Sequence, residues 1–173
     1  MKKDNSGFSL VELVVVVLIM AIVAVALAPQ VMKWVENSRI ASDLETRTSI
    51  EDNCVLAITN EEVFNLVKDG GYEIIITKTS SGGNSFVYLE NSGGSTVTYN
   101  GGDRPDPDTN LFWAEFLKVG GFESFQDFED AVSIKTSPSG DSIVLHVYVY
   151  EGGHTFSELS EITDGEKSDI TVS

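Results

Sequence analysis

Apolar residues run from Phe8 to Ala28 with a single charged position among them, Glu12, and without interruption from Leu13 to Ala28. A helix that crosses a bilayer needs roughly 20 mostly apolar residues, and this stretch supplies them. A carboxylate in such a segment costs on the order of 2.5 kcal/mol or more at the helix centre, so Glu12 needs a partner. From Gln30 to about Thr59 the helical pattern continues but becomes amphipathic. Ile40, Leu44, Ile50, Cys54 and Ile58 fall within about a third of the circumference at 3.6 residues per turn. Glu36, Arg39, Asp43, Arg47 and Asp52 are assigned to the opposite face. One continuous helix is predicted, apolar all round in its first half and packed on a head in its second. Pro29, which lacks an N–H and clashes with the preceding turn, predicts a bend or break between them.

Past Thr59 the pattern shortens. Six Gly-Gly pairs, at 70–71, 82–83, 93–94, 101–102, 120–121 and 152–153, are expected to mark turns or helix ends. Thr59 with Glu62 reads as a capping box opening a helix over 61–69. Asn110 to Lys118 and Ser124 to Val132 read as two more short helices, the second opened by Ser124 with Asp127 three residues on. Asp108 or Thr109 is the expected cap of the first. Phe122, Phe125 and Phe128 are expected core residues. Tyr72–Thr77, Phe86–Leu89, Thr96–Tyr99 and Ile143–Tyr150 are rich in β-branched and aromatic residues and read as strands. In the last of these, Leu145, Val147 and Val149 share one face, and His146, Tyr148 and Tyr150 the other. Ile170–Val172 is expected to add an edge strand. The fold class is therefore α+β: a long N-terminal helix on an antiparallel sheet of about four or more strands.

Charge narrows the range of partners. The 173 residues carry 11 basic and 27 acidic side chains, a formal −16, which repels phosphate backbones and disfavours nucleic-acid binding. Lys2 and Lys3 ahead of the apolar segment place the leader inside and the head outside the membrane. Cys54 is the only cysteine, so no intramolecular disulfide forms, and it reads as a buried helix residue. His146 and His154 are the only histidines and lie in no recognised motif. Without a nucleophile elbow, phosphate loop, zinc or dinucleotide motif, enzymatic activity is not expected.

The residues Gly7-Phe8-Ser9-Leu10-Val11-Glu12-Leu13 carry a resemblance that covers about the first 35 positions. A short basic leader ending in glycine, a phenylalanine, a glutamate four residues beyond it and an apolar helix together resemble the processing motif of type IV pilins and pseudopilins. The resemblance implies that a prepilin peptidase cuts between Gly7 and Phe8 and methylates the amino group of Phe8. It implies that Glu12 meets the positive terminus of a neighbouring subunit during assembly, and that Pro29 matches a helix-breaking proline of the family. Ser9, where threonine is commoner, and Asp4, in a leader that is usually purely basic, depart from the pattern. Opposite charges in hydrocarbon attract strongly and relieve one another's burial cost, which gives the Glu12 pairing a physical reason. The implied domains are a cleaved leader (1–7), a membrane and filament-core helix (8–29), its amphipathic continuation (30–59) and a head (60–173). The implied function is a homo-oligomeric surface filament drawn from the cytoplasmic membrane by an assembly platform and an ATPase. Such filaments serve adhesion, twitching motility, DNA uptake or protein secretion.

Other readings stay open. Within the family, the chain reads equally as a minor pilin or a secretion-type pseudopilin. Outside it stand a cleaved secretory signal ending at Ala26-Leu27-Ala28 and a single-pass anchor for an extracytoplasmic binding module. A further candidate is calcium, for which Asp103, Asp106 and Asp108 offer oxygens; the pseudopilin resemblance lends it an analogy, and a rigid turn around Pro105 and Pro107 is the competing reading.

Overall fold

The computed structural model describes residues 9–92 and 94–171. The elements are helix α1 (Leu10–Ile58), α2 (Glu61–Val67), β1 (Gly70–Thr79), β2 (Asn84–Ser92), β3 (Ser95–Tyr99), α3 (Leu111–Gly120), α4 (Phe125–Ala131), β4 (Ser142–Val149), β5 (Thr155–Thr163) and β6 (Glu166–Asp169). The chain divides into two compact units, Met1–Ser38 and Arg39–Ser173, and α1 contributes to both.

In the second unit the six strands form one antiparallel sheet of order β3-β2-β1-β4-β5-β6. Two meanders meet where β1 pairs with β4, with Ile74 opposite Val147 and Ile76 opposite Leu145. Strict alternation on β4 buries Ile143, Leu145, Val147 and Val149 and leaves His146 and Tyr148 on the other face, as the period of two requires. The buried face joins Ile50, Cys54 and Ala57 of α1 and the aromatics of α3 and α4 in a single core. Trp113, Phe112, Phe116 and Phe128 are fully buried. Trp113 meets Tyr88 edge-on at 5.7 Å and Phe125 at 5.6 Å between ring centroids, the geometry that ring quadrupoles favour. The structure is α+β, with the Arg39–Ile58 part of α1 packed on the sheet.

Several expectations need correction. Asp43 is not on the solvent side of α1; it is fully buried. At 3.6 residues per turn it falls inside the arc set by Ile40 and Ile50, and so does Arg47, whose Nε is also buried. The burial of Asp43 is made tolerable by two charge-assisted bonds: the Lys135 N–H donates to Oδ1 and the Thr136 N–H to Oδ2, each at 2.7 Å. Its carboxylate thus ties the segment between α4 and β4 to the helix, helped by Lys135 Nζ, which donates to Ser42 Oγ at 2.7 Å.

Helix caps moved by a residue or two. Asn60, not Thr59, caps α2 by accepting from the Glu62 N–H, and Asn110, not Asp108 or Thr109, caps α3 by accepting from Phe112. Ser124 caps α4 as its spacing predicts, accepting from the Asp127 N–H. The Gly70-Gly71 pair follows the end of α2, as expected, and also opens β1. A Cβ on Gly70 would lie 2.1 Å from the Asn91 carbonyl oxygen, and one on Gly71 2.6 Å from that of Val149, so close backbone approach explains both glycines.

Strand β5 and the placement of β6 escaped the sequence reading. Its inward row carries Ser157 beside Leu159, and Ser160, opposite Val144 on the other row, is buried as well, so the run TFSELSEIT lacks the aliphatic signal of β4. The legible clue was Asp164-Gly165, a two-residue hairpin turn with φ of 52° and 81°. That turn sets β6 at Glu166–Asp169 in place of the expected Ile170–Val172, of which Val172 lies outside the described residues.

Candidate assembly site

Helix α1 begins at Leu10 with Ser9 just before it, and Glu12 in the first turn. The Ser9 N–H donates to Glu12 Oε2 at 2.9 Å, and the Leu13 N–H to the Ser9 carbonyl at 3.2 Å. Ser-x-x-Glu is the capping-box spacing, in which the acid reaches back to satisfy a backbone donor that has no partner within the helix. The sequence reading missed this local role. The carboxylate also lies where the helix dipole favours negative charge. Glu12 remains exposed, and a carboxylate has about four acceptor positions, so capping leaves it able to accept further donors.

Beyond Glu12 the helix carries its apolar side chains in the open. Leu10 is 78% exposed, Ile22 70% and Val25 76%, and the exposed set extends through Trp34 and Val35. This part of α1 is long and apolar enough to cross a membrane, and none of its apolar window is buried. Soluble surfaces rarely show contiguous apolar patches beyond a few hundred Å². A surface of this kind is suited to cover by lipid or by other helices. Pro29 lies within α1, and the helix continues on both sides of it, so the chain does not separate into two helices there. Gly7 and Phe8, the expected cleavage and methylation positions, lie outside the described residues.

The remaining candidates are scattered over the second unit. Asp103, Asp106 and Asp108 are not gathered: Asp106 Oδ1 instead accepts from the Asp108 N–H at 3.0 Å, closing a local turn. Among the described residues no group of three His, Cys, Asp or Glu side chains is arranged to hold a metal ion. The neighbouring Arg104 bridges to Glu129 Oε2 at 2.6 Å and fixes this loop to α4. Cys54 is fully buried, and burial together with the nearby Glu51 pushes its thiol far above its ordinary value, so it stays protonated and inert.

On the outer sheet face, His146 Nε2 lies 2.9 Å from Glu73 and its Nδ1 3.9 Å from Glu158. Burial lowers the pKa of His146 against the opposing pull of the two carboxylates. Tyr148 Oη donates to Glu158 at 3.0 Å, and Lys167 also bridges to Glu158.

Residues 2–28 match the family described as the prokaryotic N-terminal methylation motif, the leader signature of type IV pilins and pseudopilins. Comparison with curated proteins and with solved structures gave no match.

Proposed function

We propose, from the leader signature of type IV pilins and pseudopilins that opens this chain, that it is a structural subunit of a type IV pilus. The observation that carries this reading is the methylation motif at 2–28 on a helix whose apolar side chains from Leu10 to Val35 are exposed among the described residues. On this reading the precursor is anchored in the cytoplasmic membrane with residues 1–7 inside. A prepilin peptidase cuts between Gly7 and Phe8 and methylates the Phe8 amino group. Residues 8–29 then exchange lipid for the helices of sister subunits in the filament core, while residues 30–59 carry the head, 60–173, to the surface. A platform and ATPase drive the transfer.

Glu12 acts at the exchange. Its carboxylate, which caps its own helix in the single chain, accepts the ammonium of a neighbour's Phe8 in the filament. Low local dielectric strengthens that pair, so docking in register is favoured over docking out of it. The motif suits a minor pilin or a pseudopilin equally; the share of this chain in sheared filaments separates them, since a main subunit dominates by mass.

The test is mass spectrometry of the N-terminal peptide from surface-sheared material, with and without Glu12→Ala. A methylated Phe8 terminus, together with loss of filaments in the variant, is expected. An intact Met1 with normal surface display of the variant would instead make the chain a plain anchored module, and a terminus at Pro29 a secreted protein.

A further inference from the structure

The outer face of the sheet carries a notch that the filament reading does not use. Across this face Thr96 of β3 pairs with Asn91 of β2, and Asn91 with Gly71 of β1. Tyr150 follows the last residue of β4 on the far side. Gly71 therefore leaves a gap in a row of side chains, and a Cβ there would collide with the Val149 carbonyl oxygen. In the next row Glu73 stands opposite Tyr148. The result is a groove of about 330 Å³ with Gly71 among its lining, Tyr148 and Tyr150 on one side, and Asp69, Glu73 and Glu151 around it. The two tyrosine rings are parallel, at 1° and 5.6 Å between centroids. Tyr148 is fixed by its bond to Glu158, whereas Tyr150 is half exposed. Glu73 is oriented by His146 at 2.9 Å and by the Asn91 amide at 3.4 Å.

No Lys, Arg or His lines this groove, against three carboxylates. An anion is repelled there, and a neutral ligand leaves the field of the carboxylates unanswered. A cation with an alkyl stem meets both features. Its charge is attracted to aromatic rings within about 6 Å and to the carboxylates, while its methylenes lie along the rings.

We propose that this groove binds an alkylammonium group, with Tyr148 and Tyr150 taking the stem and Glu73, Asp69 and Glu151 the charge. The group comes either from a lysine side chain of another protein or from a free amine such as choline. This inference does not rest on the filament reading and survives its failure.

The test uses the full chain in non-ionic detergent micelles and follows amide and tyrosine NMR signals during titration. The probes are N-acetyl-lysine methylamide, its neutral isostere N-acetyl-norleucine methylamide, choline and methyl glucoside. The lysine probe is expected to move signals of Gly71, Glu73 and Tyr150 saturably, and the norleucine probe to move none. Added salt should weaken binding, because exposed charge pairs are screened. Tyr150→Ala, at a half-exposed site where folding is not at stake, should weaken binding about threefold to tenfold. Glu151→Gln should weaken it less. Binding of choline as well identifies a general ammonium site; binding of the lysine probe alone identifies a protein partner. Equal shifts with norleucine, a response to methyl glucoside alone, binding unchanged in Tyr150→Ala, or no shift with any amine up to its solubility overturns the proposal.

Discussion

Within the single helix α1, two stretches live under opposite conditions. Between Leu10 and Val35 the large apolar side chains are exposed, Met20 by 66%; between Asp43 and Ala57 the core side chains are sealed, Ile50 to 2% and Cys54 to 0%. Composition alone would put the better core in the first stretch. What differs is the supply of partners: the second stretch has a sheet and three short helices from its own unit, whereas the first finds no cover among the described residues of its unit. Hydrophobicity states a demand for burial and does not say who meets it. A patterned stripe with a polar remainder is met from within the chain, and an all-round apolar surface is met by lipid or by copies.

The sharpest way to break this comparison is to delete the same kind of apolar bulk from each stretch. Ile50→Ala should lower the stability of the second unit by about 2–5 kcal/mol, the range for emptying a sealed aliphatic site. Met20→Ala should shift it by less than about 0.5 kcal/mol. Urea unfolding of the full chain in micelles, followed by Trp113 fluorescence in a Trp34→Phe background, reads both. Equal effects would mean that the two stretches share one environment.

A smaller effect sharpens the boundary between the stretches. Asp43→Asn replaces an acceptor oxygen with an amide donor facing one of the N–H groups of Lys135 and Thr136, and should cost about 1–3 kcal/mol. Protection of those two amides against hydrogen exchange should fall first. Unchanged protection would show that the loop is held by its other contacts, among them Lys78 Nζ donating to the Ile134 carbonyl at 2.8 Å.

Acid should have the mildest effect, read on the second unit. Burial lowers His146 from its ordinary 6.5 despite the pull of Glu73 and Glu158. The unfolded chain then binds the proton more readily than the folded one, so stability is full above 6.5 and declines as pH falls through the folded value. Glu161 is also depressed from 4.5: partial burial acts upward but is outweighed by the Gly140 N–H at 2.7 Å and by the hydroxyl and N–H of Ser139. Its contribution is present above 4.5 and lost below it. Unfolding midpoints should thus fall in two steps on acidification, and His146→Gln should remove the upper one. A single step in that variant and in the parent alike would refute the assignment.

The helix, the strands rich in valine and isoleucine, and the Ser124 cap were legible because each rests on local periodicity or on a fixed spacing. Asp43 was misread because its charge outweighed its angular position; only the 135–136 backbone, far along the chain, explains why a carboxylate belongs there. Strand β5 was missed for a related reason. Its inward Ser157 is satisfied by a long-range partner, donating to Glu51 of α1, and no window of sequence displays that bond. Of the candidate site, the motif around Glu12 was readable from spacing, while the groove beside Gly71 needed four strands brought together before it existed.

The two borders of the sheet are unlike. Strand β6 is short, fully exposed and carries Glu166, Lys167 and Asp169, whereas β3 presents Ser95, Thr96, Val97, Thr98 and Tyr99 with no charge at all. Exposed strand borders are templates for unwanted zipping between molecules, and charge is the usual guard. In any setting that crowds many copies together, one flank of this molecule resists fusion by its charges, while the other depends on the threonines and the shortness of a five-residue strand.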